Sequence, residues 1–218
     1  MRAVAIALTC LTACAAPFAL AGGQNQLATS KLAVEHFWKE VYGAGGTSLY
    51  CGSAFTGESE LLTASLLYST KQIKSALRCN TERQCRLMTP QYSFMLADLH
   101  NRYPALTRIE LARRNAQFGE LDDSVTSKFA DIGCDLKATF QWVEPRDQAK
   151  GNVARALFYM HVEYDLPLHG QVQLFKAWHQ LDPVDIEERQ RNDRIALIQG
   201  TRNRFIDDPA LVEQLIED

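Results

Sequence analysis

Histidines, cysteines and a run of cations are the side chains in this sequence best suited to chemistry. Of five histidines, His36 is the one with an acid beside it, in Glu35-His36. An imidazole next to a carboxylate is a natural base-and-ligand pair near neutral pH. Here, however, the pair lies among Phe37, Val41 and Tyr42, the pattern of an ordinary amphipathic helix, so His36 reads as a partly exposed helix residue. His161, His169 and His179 fall in C-terminal helical stretches, where surface or hydrogen-bonded core positions are the default. Lys71, Lys74, Arg78, Arg83 and Arg86 form a basic run interrupted by one acid, Glu82. Such a run suits phosphate contact, although a solvated charged face has the same composition.

Charge and the N-terminus narrow the setting. Arg2 followed by an apolar stretch to Leu20, with Ala19 and Ala21 as small residues, reads as an export signal spanning residues 1–21. A lipobox reading of Leu11-Thr12-Ala13-Cys14 is weaker, because Ala15 to Phe18 stay apolar. Removing that leader leaves residues 22–218 as one domain, with 22 basic against 26 acidic side chains. An acidic balance argues against a general polyanion binder, so any nucleic-acid surface must be a local patch. No later stretch approaches the ~20 apolar residues of a membrane helix.

Cys51, Cys79, Cys85 and Cys134 remain after the leader, an even number in an oxidising compartment. Cys79 and Cys85 are close enough to shut one small loop, which leaves Cys51 for Cys134. A four-thiolate zinc site is disfavoured, since no Cys-x-x-Cys pair occurs.

The elements that must position these groups are helix-rich. Ser30 to Tyr42 reads as a helix capped by Ser30 and stopped by Gly43, Gly45 and Gly46. Thr47 to Cys51 is strand-like, Leu61 to Leu77 is mixed, and Gln91 to Asn101 lies between Pro90 and Pro104. Asn115 to Asp135 is polar and turn-rich, and Lys137 to Val143 looks like one strand. Val153, Leu157, Met160 and Tyr164 trace the buried stripe of a helix, and Leu174, Trp178 and Leu181 mark a second. Asp182-Pro183 reads as the start of a third helix running to about Gln199, and Asp208-Pro209 as the start of a short last one. The expected class is α+β with helices predominating.

Four ordered segments carry a family resemblance. They are Ala97-Asp98-Leu99-His100-Asn101 with Pro104-Ala105; Arg113-Arg114-Asn115 with Phe118-Gly119-Glu120; and Pro145, then Lys150 to Arg155, with Phe158-Tyr159-Met160. The fourth joins Trp178, Asp182 to Asp185, Arg191 to Ile195, Gln199-Gly200 and Arg202 to Ile206. In this order the chain resembles the endonuclease I family, the periplasmic or secreted nucleases of bacteria. Tyr50-Cys51-Gly52 and the Cys79/Cys85 pair also sit where such proteins place theirs.

The resemblance implies a disulfide-containing ββα-metal domain of the His-Me finger type. In it a histidine activates water, while an acidic neighbour and an asparagine hold one Mg²⁺ that neutralises the scissile phosphate. Substrates would be DNA and often RNA, with little sequence preference. Asn101 matches the metal-binding asparagine, and Arg83 is the best match for a phosphate-clamping arginine. His100 would lie inward beside the site. Arg113, Arg155, Arg191 and Arg202 fall on matched segments, and several of them are expected to tie loops together by internal pairs instead of contacting DNA.

One part is missing. The family's adjacent Glu-His motif lies upstream of the cysteine matching Cys79, and the usual interval lands at Ser65-Leu66. Ala64 to Thr70 contains neither Glu nor His. Glu58, Glu60 and Glu82 are the remaining nearby acids. The expectation is therefore a divergent member with weakened Mg²⁺-dependent hydrolysis. The alternative is an inactive homologue that binds nucleic acid through Lys71, Lys74, Arg78, Arg83 and Arg86, or that binds an envelope protein.

Overall fold

The computed structural model describes residues 22–113, 116–169 and 171–217. The expected leader, with Cys10 and Cys14, and Arg114-Asn115 of the second matched segment lie outside the described residues.

The chain begins with helix α1 (Ser30–His36), capped by Thr29, whose hydroxyl accepts from the Leu32 amide. The expected cap, Ser30, is instead the first helical residue. The helix widens into a π turn over Phe37–Val41, which turns Phe37, Trp38 and Val41 inward. Two short strands, β1 (Gly46–Thr47) and β2 (Ala54–Phe55), pair antiparallel. Only Thr47 of the strand-like Thr47–Cys51 run is in a strand, because Ser48 to Cys51 turn to bring Cys51 to Cys134.

The mixed segment 61–77 resolves into strand β3 (Leu62–Leu66) and helix α2 (Thr70–Ala76). Ser69 and Gln72 form a reciprocal capping box that fixes where α2 starts. Helix α3 (Glu82–Met88), capped by Thr81, contains Cys85, which the disulfide ties back to Cys79, and α4 (Tyr92–Ala97) leads into a 3₁₀ turn at Leu99–Asn101. Strand β4 (Arg102–Leu106) then returns antiparallel to β3, placing Ser65 opposite Tyr103 and Leu66 opposite Arg102. Helix α5 (Thr107–Arg113) continues directly from β4 and packs on both strands.

A small three-stranded sheet follows: β5 (Gln117–Phe118), β6 (Lys137–Ala138) and β7 (Trp142–Glu144), with β7 in the middle. The expected single strand Lys137–Val143 is thus a hairpin. Thr139 breaks it: its hydroxyl accepts from the amides of Gln141 and Trp142, and its amide donates to Trp142 O at 2.8 Å. A side chain that bonds its own backbone favours a turn over a ladder.

The C-terminal half is helical: α6 (Asp147–Tyr164), α7 (Val172–Leu181), α8 (Ile186–Gln199), α9 (Arg204–Asp207) and α10 (Leu211–Leu215). Helix α6 is buried almost all round from Ala149 to Met160 and forms the centre of the core. Gly151 lets α7 approach, since a Cβ there would meet Asp182 O at 2.0 Å. Asp182 does not cap α8; its carboxylate accepts from the Gly151 amide and its carbonyl from Arg155. The next aspartate, Asp185, caps α8 instead, and Gly200 closes it in the left-handed region at φ 73°. Likewise Asp208-Pro209 form a turn, and α10 starts two residues later.

Both disulfides are the expected ones, Cys51–Cys134 and Cys79–Cys85. The molecule is a helix-rich α+β fold. No helix among the described residues is long and apolar enough to cross a membrane.

Candidate functional site

The strand end at Ser65–Leu66 is the position at issue. Ser65 donates a hydrogen bond to Glu110 Oε2 at 2.6 Å, and Arg113 Nε donates to the same oxygen at 3.1 Å. Arg113 also donates to the Leu66 carbonyl and lies against the rings of both Tyr50 and Phe118. Burial pushes the Tyr50 hydroxyl up to about 12 against the opposing charge of Arg113, so it stays neutral. A buried cation with a carboxylate and two aromatic faces is a structural bolt, joining α5 to the end of β3.

On the other side of Leu66 lies a cleft of about 190 Å³, bordered by Thr70, Glu82, Arg86 and Ser93. Glu82 lines this cleft with Leu66, but its Oε2 is 2.5 Å from Arg86 of the same helix. Glu58 and Glu60 are exposed on the loop before β3.

Asn101 comes to the base of this strand end, where it is fully buried. Its Oδ1 accepts from the Tyr68 amide at 2.7 Å and its Nδ2 donates to the Tyr68 carbonyl at 3.0 Å. The side chain therefore completes the β3–β4 ladder past its last pair. His100, next to it, is also buried; its Nε2 donates to Thr201 O at 3.0 Å and its Nδ1 has no partner. Burial lowers its pKa to about 4, with neighbouring Asp98 opposing that shift. His100 is a neutral core residue that faces away from solvent.

The other histidines do not converge on this point. His36 pairs with Glu40 at 2.6 Å on the exposed face of the first helix, and Glu35 pairs with Lys39. His161 bonds Leu166 O, His179 bonds Pro209 O, and His169 lies 3.4 Å from the Tyr68 hydroxyl. Among the described residues no three His, Cys, Asp or Glu side chains are grouped to hold a metal ion.

The matched segments build a polar interior. Asp98 accepts from the His100 amide, Gln199, Tyr159 and Tyr164, the last at 2.7 Å. Arg155 makes a two-pronged pair with Glu188 at 2.9 and 2.5 Å. Arg191 donates to the carbonyls of Leu99 and Arg102 over the ring of Tyr103, and Arg202 bridges Asp193 and Asp207. Internal ties, expected for several of these four arginines, are made by all four.

The basic run behaves differently. Lys71, Arg78 and Arg83 are exposed and Lys74 is half-buried. Among the described residues none of their side chains has an acidic partner; Arg86, held by Glu82, is the exception within the run. Beyond Lys71 the surface opens into a groove of about 560 Å³ between α5 and the β6–β7 hairpin. Little of this groove was legible in the sequence, since its walls come from segments far apart in the chain; an apolar Phe140 between Thr139 and Gln141 was the one visible signal.

The described residues thus form a helix-rich α+β domain with two disulfides and an exposed basic pair of helices, α2 and α3. The endonuclease I family model matches residues 27–210, and the chain belongs to that family. It is 34% identical over 137 residues to an extracellular ribonuclease of Bacillus subtilis (strain 168), covering 54% of this chain and 46% of the relative. It is 35% identical over 120 residues to Endonuclease-1 of Buchnera aphidicola subsp. Acyrthosiphon pisum (strain APS), covering 53% and 46%. A periplasmic deoxyribonuclease of Aeromonas hydrophila is 34% identical over 122 residues, covering 54% and 50%. The chain thus spans about half the length of the curated relatives it matches.

Proposed function

We propose that this chain is an exported nucleic-acid-binding member of the endonuclease I family whose hydrolytic centre is weakened or lost. One observation carries the reading: at the strand end where the resemblance places a base and an acidic ligand, Ser65 and Leu66 are tied into a bolt with Glu110 and Arg113.

The donor set there does not suit Mg²⁺. That ion wants one or two free carboxylates in near-octahedral geometry. Glu110 is engaged by Ser65 and Arg113, Glu82 by the positive charge of Arg86, and both ends of the Asn101 amide by Tyr68. No metal-assisted step is assigned to these residues. Loss of a general base typically costs 10² to 10⁴-fold in rate, and loss of metal capture adds to that.

Phosphate contact is a separate matter. Among the described residues Arg83, Lys71, Lys74 and Arg78 have no acidic partner, in a protein that is acidic as a whole, which favours backbone binding of DNA or RNA. The relatives' names, extracellular and periplasmic nucleases, support both the partner class and export, as do the disulfides.

The test is duplex DNA binding in EDTA across salt. Affinity is expected to fall with a log–log slope of roughly −0.9 per phosphate contacted. Changing Lys71, Lys74 and Arg83 together to Ala should flatten the slope and weaken all sequences alike. Binding that ignores salt, or a triple variant equal to wild type, would overturn the reading in favour of a protein partner.

A further inference from the structure

The β6–β7 hairpin ends in a two-residue tip, Phe140-Gln141, locked by four hydrogen bonds, three between Thr139 and Trp142 and one from the Gln141 amide to the Thr139 hydroxyl. Phe140 at this tip is 97% exposed. Single exposed apolar residues are common, but a rigidly mounted aromatic with almost no contact of its own has another meaning when it borders a groove. Phe140 stands on the rim of the 560 Å³ groove, which Trp142 and Leu111 also line. Leu111 is 59% exposed. Trp142 is held in place by Gly119, where a Cβ would meet its Cε3 at 2.7 Å.

Charge decides what fits this groove. Among the described residues its lining includes Lys71 and Arg113, two neutral amides in Gln117 and Gln141, and no carboxylate. Lys71 belongs to the same basic run as Lys74 and Arg78, so the aromatic wall continues directly into the face proposed to hold phosphates. A flat aromatic, a cation within the same groove and uncharged amides are the complement of an unpaired nucleotide: base on ring, phosphate on lysine, base edge on amide. A protein surface would find the rings but gain nothing from the excess positive charge.

We infer that the groove between α5 and the β6–β7 hairpin is a stacking subsite for a base of single-stranded nucleic acid, with Phe140 as the platform and Lys71 as its phosphate contact. This rests on the reading of the chain as a nucleic-acid binder and adds strand preference to it. A base inside a duplex has its faces covered by its neighbours, so the subsite discriminates in favour of single strands.

The experiment measures fluorescence anisotropy of labelled oligothymidylate and of a labelled duplex, in EDTA at fixed salt, with the full mature chain. Phe140→Ala should weaken oligothymidylate binding roughly 5- to 100-fold, the range that one base–aromatic stack contributes, and duplex binding less than about 2-fold. Phe140→Trp should restore it. Because the side chain is almost wholly solvent-exposed, both variants should keep the wild-type unfolding midpoint. If Phe140→Ala leaves oligothymidylate binding unchanged, or weakens both ligands equally, the subsite is refuted while the basic-face reading stands. If wild type binds neither ligand, both fall. If Phe140→Ala instead dissolves a dimer seen by sedimentation without changing oligonucleotide binding, the face is a contact between copies and the inference is overturned.

Discussion

Arg155 and Arg83 are both singled out by the resemblance, Arg155 within a segment expected to tie loops and Arg83 as the match for a phosphate clamp, and their surroundings are opposite. Arg155 is fully buried, with two prongs on Glu188 and a third bond to Asp182 O. Arg83 is exposed on α3 with no partner among the described residues. The same contrast separates two regions. In the C-terminal helices the matched residues form a closed internal network around Asp98, Arg155 and Arg191. Around β3, α2 and α3 the matched residues are few, neither Glu nor His occurs from Ala64 to Thr70, and among the described residues Lys71, Lys74, Arg78 and Arg83 have no acidic partner. The matched residues thus lie mostly in the buried scaffold, and these exposed or half-buried cations lie outside it.

The comparison breaks first, and most heavily, at Arg155. Arg155→Ala leaves the buried Glu188 carboxylate without its partner, where burial already pushes its pKa up. The expected cost is about 3–5 kcal/mol by urea unfolding. A loss below about 1 kcal/mol would mean that the network is not what holds α6 to α8.

Acid should produce the next largest effect, through His100. Its folded pKa of about 4 lies below its value of 6.5 in the unfolded chain, so the unfolded state binds the proton first. The contribution is fully present above pH 6.5 and is lost as pH falls from 6.5 toward 4, approaching ~3 kcal/mol. Wild type minus His100→Gln, measured as unfolding free energy against pH, isolates it. A difference that stays flat between pH 7 and 4 would contradict the buried neutral assignment.

Asn101→Ala comes third. It strips partners from both the amide and the carbonyl of Tyr68, and the expected loss is about 2 kcal/mol, that of leaving buried backbone groups unpaired. An unchanged midpoint would free Asn101 for a metal role. Last, Arg83→Ala should move stability by less than about 0.5 kcal/mol, as for other exposed side chains, while reducing the salt slope of DNA binding. A clear destabilisation there would show that the basic face is part of the scaffold after all.

The two regions also differ in how much of them could be read from sequence. The 3.6-residue spacing of Val153, Leu157 and Met160 identified α6, and cysteine number and spacing gave both disulfides. Local rules failed where a long-range partner took over. Asp182-Pro183 has the form of a helix start, but Asp182 is drawn to Gly151, 31 residues earlier, and Asp185 caps instead. Thr139 turned an apparent strand into a hairpin by bonding its own backbone. The role of Asp98 was hidden for the same reason: Tyr159, Tyr164 and Gln199 reach it from at least 61 residues away. At the candidate site, the absence of Glu and His before Cys79 was legible. What replaced them was not, because the Ser65–Glu110–Arg113 bolt spans β3 and α5.

The central claim is that the scaffold persists while the hydrolytic centre does not, and nicking of supercoiled plasmid by the purified mature chain tests it most directly. With Mg²⁺ present, the account predicts nicking at least ~10²-fold slower than that of a family member retaining the Glu-His pair, and barely above the EDTA control. EDTA-sensitive cleavage at a comparable rate, co-eluting with the folded protein, would contradict it.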